Sequence, residues 1–466
     1  MRKFAILNKM PDLPIKDEGK AEYTSQTGPR HEFSQTQAAD STPGAPASRP
    51  RLQLIVITAL ALAIRLAWVG FGSWVSGDSA WYLQVARNVA CNHFFSASAT
   101  GINPIPTAFR PPLYPALIAA LWFGNSAPIL VVLLLQAVLG AATVALVFLI
   151  ARDQFGDRVA LIASAGMAVA PMTGHFTAVI LSETLFTFLL TLGVFLWGRN
   201  RHGATGIAFG LAALTRVTML PFFVLLPLLT LLRPWRSYRH SYSIIMLVSL
   251  AVASVWIVRN EIVFHRFVPV ASSGYGTSLL LGTQETKYAD DVTTRKEFLR
   301  NVDISGGRSG MDETETDRVR LRAALRQITN SPVQWIRARA QQYPRLFIDS
   351  GSYLFGDGST PFKTAVRERR LGQVVVRMLL IVGNLLVFLF ALNGMITARA
   401  RFVTLSHLTL FPIFLCAVSF PVWIEPRYSL PMMPLVAILA AAGAVKLAAG
   451  VSGRMRNAAA AEAAAH

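Results

Sequence analysis

The chain has 466 residues, of which 53% are hydrophobic and only 15% charged, and its mean hydropathy is +0.45. An ordinary soluble domain carries about 25% charged residues, so this composition excludes a conventional soluble fold and points to a polytopic membrane protein. The net charge of +19 would suit nucleic acid, but in a membrane protein basic residues concentrate in cytoplasmic loops, and no nucleic-acid partner is expected.

Residues 1–50 are rich in Ser, Thr, Gln and Pro without apolar periodicity and read as a disordered cytoplasmic tail. They lack the apolar core and cleavage site of a signal peptide. Apolar segments then recur at 52–74, 127–151, 158–172, 180–198, 203–215, 218–232, 241–260, 372–396, 402–420 and 428–449. A helix of about 20 apolar residues crosses a ~30 Å hydrocarbon core, so the expectation is an all-α protein with about ten transmembrane helices. The organisation predicted is an N-terminal membrane module over 51–260 with a first outer loop at 75–126. A large outer loop of mixed structure follows at 261–371, then C-terminal spans at 372–450 and a tail at 451–466.

Ten spans put both termini on one side. The short loops on that side carry Arg152, Arg158, Arg199, Arg201, Arg233, Arg236, Arg239, Arg399 and Arg401, and the tail adds Arg454 and Arg456; the opposite short turns carry almost none. That asymmetry assigns this side to the cytoplasm. The two cysteines, Cys91 and Cys416, are far apart and imply neither disulfide nor metal site. No metal-ligand cluster stands out, and a metal-independent protein without cofactor is expected.

Outside the tail and the large loop only six acids remain: Asp78, Asp153, Asp157, Glu183, Glu425 and Glu462. Asp153 and Asp157 belong to a cytoplasmic turn and Glu462 to the C-terminal tail. Asp78, Glu183 and Glu425 all fall at outer ends of spans, where ionisable groups are costly and mark function. Arg110, Arg216, Arg259 and Arg427 share that face. A carboxylate can take a proton from an attacking hydroxyl, and a guanidinium fork matches phosphate oxygens, so a lipid-linked phosphate donor suits this face. Plainer roles are compatible with several of these residues: Asp78 as an N-cap, Glu183 as a charge at a helix N-terminus, and Glu425 with Arg427 as a surface pair. Arg65, within the first span, is compatible with a bundle interior or with snorkelling. Asp349 and Asp357 flank a Gly-rich turn late in the large loop and read as solvated. A transporter or flippase is the alternative class; it would want polar groups at mid-membrane and paired broken helices, and no internal repeat is seen.

Five short motifs lie in order on the outer face: Gly77-Asp78-Ser79-Ala80-Trp81-Tyr82, Phe109-Arg110-Pro111-Pro112-Leu113-Tyr114-Pro115, Ser182-Glu183-Thr184-Leu185-Phe186, Gly210-Leu211-Ala212-Ala213-Leu214-Thr215-Arg216, and Glu425-Pro426-Arg427-Tyr428-Ser429-Leu430-Pro431. Together they resemble the GT-C superfamily of membrane glycosyltransferases, in particular the bacterial relatives of protein O-mannosyltransferases and of lipid A aminoarabinose transferases, over residues 52–235 and 420–435. The resemblance implies a GT-C fold with interfacial helices in the first outer loop. It also implies transfer of a sugar from a polyprenyl-phosphate donor to a glycan, lipid-linked or protein acceptor on the outer face of the cytoplasmic membrane, with inversion. Asp78 would be the general base and Glu183 the second catalytic acid. Arg110, Arg216 and Arg427 would hold the donor phosphate with Tyr428 beside them, and Tyr82, Tyr114, His175 and Glu425 are candidates for substrate binding. Many relatives have two adjacent acids where this chain has Asp78 followed by Ser79, a difference that bears on the sugar or acceptor.

Overall fold

A computed structural model of the chain describes residues 48–71, 75, 77–98, 104–124, 126–271, 274–283, 297–302, 312–348 and 366–465. The tail before residue 48, and Asp349 and Asp357, lie outside the described residues. Among the described residues the protein is all-α, with one isolated bridge, between Ser96 and Pro106.

The segment after α1 (Ser48–Gly70) holds α2 (Gly77–Asn92) and α3 (Leu113–Ala120). The N-terminal membrane module continues as α4 (Ile129–Phe155), α5 (Asp157–Val169), α6 (Pro171–Thr177), α7 (Glu183–Gly198), α8 (His202–Ala213), α9 (Leu220–Leu229) and α10 (Arg239–Phe264). The large loop contributes α11 (Tyr275–Gly282), α12 (Glu313–Asn330), α13 (Pro332–Gln342) and the short α14 (Arg345–Ile348). The chain closes with α15 (Leu371–Thr397), α16 (Ser406–Ser419) and α17 (Met433–Ala465).

All ten apolar segments read from the sequence lie on helices, but they are not equal. Five helical stretches are long and apolar enough to cross a membrane by themselves: Pro50–Gly70, Ile129–Phe155, Arg233–Phe264, Leu371–Thr397 and Pro426–Ser452. A sixth is possible if α5 and α6, bent by 52° at Ala170, form one broken span. Pro171 is the cause of the break, because it opens α6 without a backbone N–H to continue the ladder. The helices α7, α9 and α16 are shorter. The C-terminal tail, expected to begin at 451, continues α17 as helix to Ala465, as an Ala-rich stretch favours.

Aromatic packing joins the short helices. Trp197 of α7, Phe209 of α8, Phe222 of α9, Tyr242 of α10 and Phe411 of α16 meet in one cluster, with the Phe222 and Phe411 rings stacked at 4.1 Å. Helix α8 comes close to α10 because Gly210 leaves room for Val252 and for the Ser249 carbonyl. At the end away from Glu183, Arg199 pairs with Asp153 at 2.7 Å and Arg152 with Asp157 at 2.8 Å, tying the α4–α5 and α7–α8 turns. Helix α7 has 16 residues, so these basic turns stand about 24 Å from Glu183 along its axis.

The α15–α17 pair packs through Gly394 and Gly443, each against the other helix's backbone. This is the small-residue contact by which membrane helices approach closely. A Cβ at Gly394 would press on the Leu439 carbonyl and meet the Gly443 nitrogen at 3.3 Å, whereas Gly383 on the same helix has nothing within 4 Å. Gly394→Ala is therefore expected to destabilise the protein by about 1–3 kcal/mol, read as a lower melting temperature in detergent. Gly383→Ala should leave it unchanged or slightly raised.

Candidate active site

Each acid and base of the site is delivered by a backbone break. Asp78 lies in the first turn of α2. Arg110 precedes Pro111 and Pro112, which turn the chain into α3, and the Leu113 N–H donates to the Leu214 carbonyl at 2.9 Å. That bond brings the Arg110 segment beside the end of α8. Arg216 lies just past α8 in extended conformation, and its N–H donates to the Ala212 carbonyl at 2.8 Å. Glu183 heads α7, where the helix dipole favours its charge. Arg427 and Tyr428 sit on a 3-10 helix, Pro426–Met432, that starts with proline and leads into α17.

Six charged side chains converge. Arg110 Nη2 is 2.6 Å from Asp78 Oδ1, and Arg427 Nη1 is 3.1 Å from Asp78 Oδ2. Glu183 Oε1 takes Arg216 Nη1 at 2.9 Å and faces Arg427 Nε at 3.7 Å. Arg427 Nε also lies 2.5 Å from Glu425 Oε2. Three carboxylates thus meet three guanidiniums, and Arg427 touches all three carboxylates. Glu183 is the most enclosed, its side chain only 3% exposed, while Asp78 retains 28%. Burial acts to raise the Asp78 carboxyl, but Arg110 and Arg427 outweigh it and hold the group below its usual 3.8.

Aromatic rings frame these charges. The Arg216 guanidinium stands 5.7 Å from the centroid of Tyr428 and 6.0 Å from that of Phe186; Arg110 stands 5.5 Å from Tyr82. A cleft of about 940 Å³ opens in front, lined among others by Tyr82, Arg110, Phe186, Arg216, Tyr275 and Tyr428. Its far wall is apolar, with Leu415, Val418 and Val422. The charges thus lie beside a hydrocarbon-like groove, a combination that fits a molecule with a phosphate head and an apolar body.

The remaining sequence candidates divide. Tyr82 lines the cleft, and its hydroxyl donates to Ser182 at 3.3 Å. Tyr114 is buried behind it, with its ring edge-on to Tyr82 at 4.9 Å and its hydroxyl donating to Gln136 at 2.6 Å. His175 is not brought to the charged cluster: its ring packs on Trp68 and Phe176 in the bundle interior. Arg259 is also apart, donating to the Thr107 carbonyl at 3.1 Å and lying 4.7 Å from the Trp256 ring. Arg65 is fully buried and donates to the carbonyls of Ala61 at 3.1 Å and Met167 at 3.3 Å. A small cavity is lined by both Arg65 and Glu183. Sequence reasoning missed Tyr275 and Ser278, which reach the cleft from the large loop. The short apolar run Ser278–Gly282 was their only signal. Among the described residues no three His, Cys, Asp or Glu are grouped to hold a metal ion.

A family model, that of the dolichyl-phosphate-mannose-protein mannosyltransferases, matches residues 110–258. The resemblance to GT-C membrane glycosyltransferases is met. The matched segment is about a third of the chain; it begins at Arg110 and takes in Glu183 and Arg216. No curated protein sequence matches the chain. Among solved structures the chain is similar to the oligosaccharyltransferase AglB of Archaeoglobus fulgidus, in complex with an inhibitory peptide and a dolichol-phosphate. That similarity has a TM-score of 0.48 at 14% identity, covering 88% of this chain and 52% of that one. It is similar also to ArnT of Cupriavidus metallidurans bound to undecaprenyl phosphate, with a TM-score of 0.39 at 15% identity, covering 85% of this chain and 79% of that one. The chain spans about half the length of the oligosaccharyltransferase it matches.

Removing Glu183 takes from Arg216 the carboxylate it pairs with and from Arg427 one of its three. Glu183→Ala is expected to cost about 3 kcal/mol or more, seen as a lower unfolding temperature of the purified protein. Arg152→Ala breaks an exposed pair and should change stability by less than about 1 kcal/mol.

Proposed function

We propose that the protein is a membrane glycosyltransferase that moves a sugar from a polyprenyl-phosphate donor to an acceptor hydroxyl at the outer face of the bacterial cytoplasmic membrane. The observation that carries this reading is the shared ion cluster, in which Arg427 bridges Asp78 and Glu183 while Arg110 and Arg216 flank it. The mannosyltransferase family match over 110–258 supports the same reaction class.

In this reading the donor phosphate takes over the guanidiniums of Arg110, Arg216 and Arg427, with Tyr428 against Arg216. Guanidinium forks bind phosphate oxygens in charge-assisted pairs, and they stabilise the charge that grows on the phosphate as it leaves. Losing its arginines to phosphate relieves the force that depresses Asp78, so the carboxylate becomes a better base when donor is bound. Asp78 then takes the proton of the acceptor hydroxyl as that oxygen attacks C1 of the sugar. The bond from C1 to the phosphate oxygen breaks on the opposite face, which inverts the anomeric centre and releases polyprenyl phosphate. Glu183 holds Arg216 and Arg427 in register and orients the sugar or acceptor, and Glu425 fixes Arg427. Tyr82 forms the floor of the sugar site, backed by Tyr114. The positive charge comes from guanidiniums, and no metal takes part. The acceptor is a glycan, a lipid-linked saccharide or a protein.

Transfer from a panel of radiolabelled polyprenyl-phosphate sugars by the purified protein tests the reading. Asp78→Asn should lower kcat by about 10²–10⁴-fold, the usual weight of a general base; unchanged turnover would sink the assignment. The arginine distribution supports cytoplasmic termini and an outward-facing site. With Cys91 and Cys416 replaced by serine, a membrane-impermeant thiol reagent added outside should label cysteines introduced near Asp78 and Arg427 but not near Arg236. The opposite pattern would reverse the orientation.

A further inference from the structure

Helix α12 begins with Glu313, whose side chain does not serve its own helix. Asp312 is the cap there, accepting the Glu315 N–H at 2.8 Å. The Glu313 carboxylate instead reaches across to the segment between α2 and α3. Its Oε2 accepts the Thr107 hydroxyl at 2.8 Å, and its Oε1 accepts the Ala108 N–H. Thr107 is held from two more directions: its Oγ1 accepts the Phe109 N–H at 3.1 Å, and its carbonyl accepts Arg259 Nη1 at 3.1 Å. The backbone just ahead of Arg110 is therefore pinned by a carboxylate more than 200 residues away in sequence. Arg110 follows two residues after Ala108 and puts Nη2 2.6 Å from Asp78.

A second carboxylate of the same helix grips another wall of the cleft. Asp317 accepts the N–H groups of Gly276 and Thr277, both at 3.1 Å, at the head of α11. Tyr275 and Ser278 of α11 line the cleft, and the Ser278 carbonyl accepts the Trp423 N–H at 2.8 Å, four residues before Arg427. One solvent-side helix thus holds the segment carrying Arg110 and, through α11, the segment leading to Arg427. Burial raises the Glu313 carboxyl above its usual 4.5, so its charge is held in an environment that penalises it.

We infer that Glu313 is a positioning residue for the transfer site: it fixes the Thr107–Ala108 backbone and so aims the Arg110 guanidinium at the donor phosphate. This rests on the donor-phosphate role proposed for Arg110. Glu313 touches no reacting atom; it acts through Arg110. A carboxylate is suited to the task because it accepts two donors at once. Glutamine retains a single, uncharged acceptor oxygen and turns an amide N–H toward the Thr107 hydroxyl, which must then accept instead of donate, and alanine retains no acceptor.

The test uses the full chain purified in detergent, with binding of undecaprenyl phosphate measured by calorimetry. The proteins compared are wild type, Glu313→Ala, Glu313→Gln, Arg110→Ala and the Glu313→Ala/Arg110→Ala double variant. Glu313→Ala should weaken binding about tenfold and Glu313→Gln about threefold, as expected for loss of charge-assisted hydrogen bonds. On the Arg110→Ala background the Glu313 change should add nothing, the non-additivity of two residues acting as one unit. Wild-type affinity in Glu313→Ala, or full additivity with Arg110→Ala, overturns the inference, even if the melting temperature has fallen. A wild type without saturable binding, or an Arg110→Ala variant that binds as wild type does, overturns the donor-phosphate reading and the role of Glu313 with it.

Discussion

The sharing of Arg427 among Asp78, Glu183 and Glu425 is the constraint on which the rest of the site depends. An enclosed guanidinium or carboxylate is tolerated only when its charge is met at close range, because the surrounding low dielectric penalises an isolated ion far more than water does. Glu183 is so enclosed that it needs Arg216 and Arg427 together. That requirement pulls the head of α7, the turn after α8 and the 3-10 helix before α17 to one point. The segment between α1 and α4 joins through Asp78 and Arg110. The cluster is balanced in charge as it stands, so an arriving phosphate shifts the balance instead of filling a void. This links the stability of the apo fold to the chemistry proposed for it.

The large loop is part of the same construction. Through Asp317 and α11 it supplies Tyr275 and Ser278 to the cleft wall, and through Glu313 it grips the backbone ahead of Arg110. Arg266 adds pairs to Asp312 at 3.4 Å and Glu315 at 3.5 Å, so α12 is also anchored to the end of α10. Such exposed pairs count for little singly. Their value here is in orienting a helix whose two inward-facing carboxylates do the gripping.

The sequence was informative wherever chemistry conflicts with its surroundings. Acids and arginines stand out in an apolar chain, and the positive-inside pattern sorts them by face before any contact is known; Asp78, Glu183, Arg110, Arg216 and Arg427 were legible for that reason. The side-chain direction of His175 was not legible, because nearness to Glu183 along the chain says nothing about direction after the break at Pro171; its ring packs on Trp68 and Phe176. The expectation of an all-α membrane fold is met, while five helices, or six with α5 and α6 as one broken span, are long and apolar enough to cross by themselves. In the fold, α7, α9 and α16 bury their apolar faces against one another in the Trp197–Phe411 cluster and need not reach full length. Glu313 and Asp317 were invisible because a carboxylate in a charged, amphipathic loop helix looks like solvated surface. Only the tertiary docking of α12 gives them their donors.

The shortness of α7 has a consequence for helix packing. About 24 Å of helix separates Glu183 from the basic turn at Arg199, less than the ~30 Å of an average hydrocarbon core. Most of α7 is buried among its neighbours, so its short length is taken up by helix packing and not by the surrounding lipid. In the proposed reading, a lipid-linked donor would lay its apolar body along Leu415, Val418 and Val422 while its phosphate meets Arg110 and Arg216.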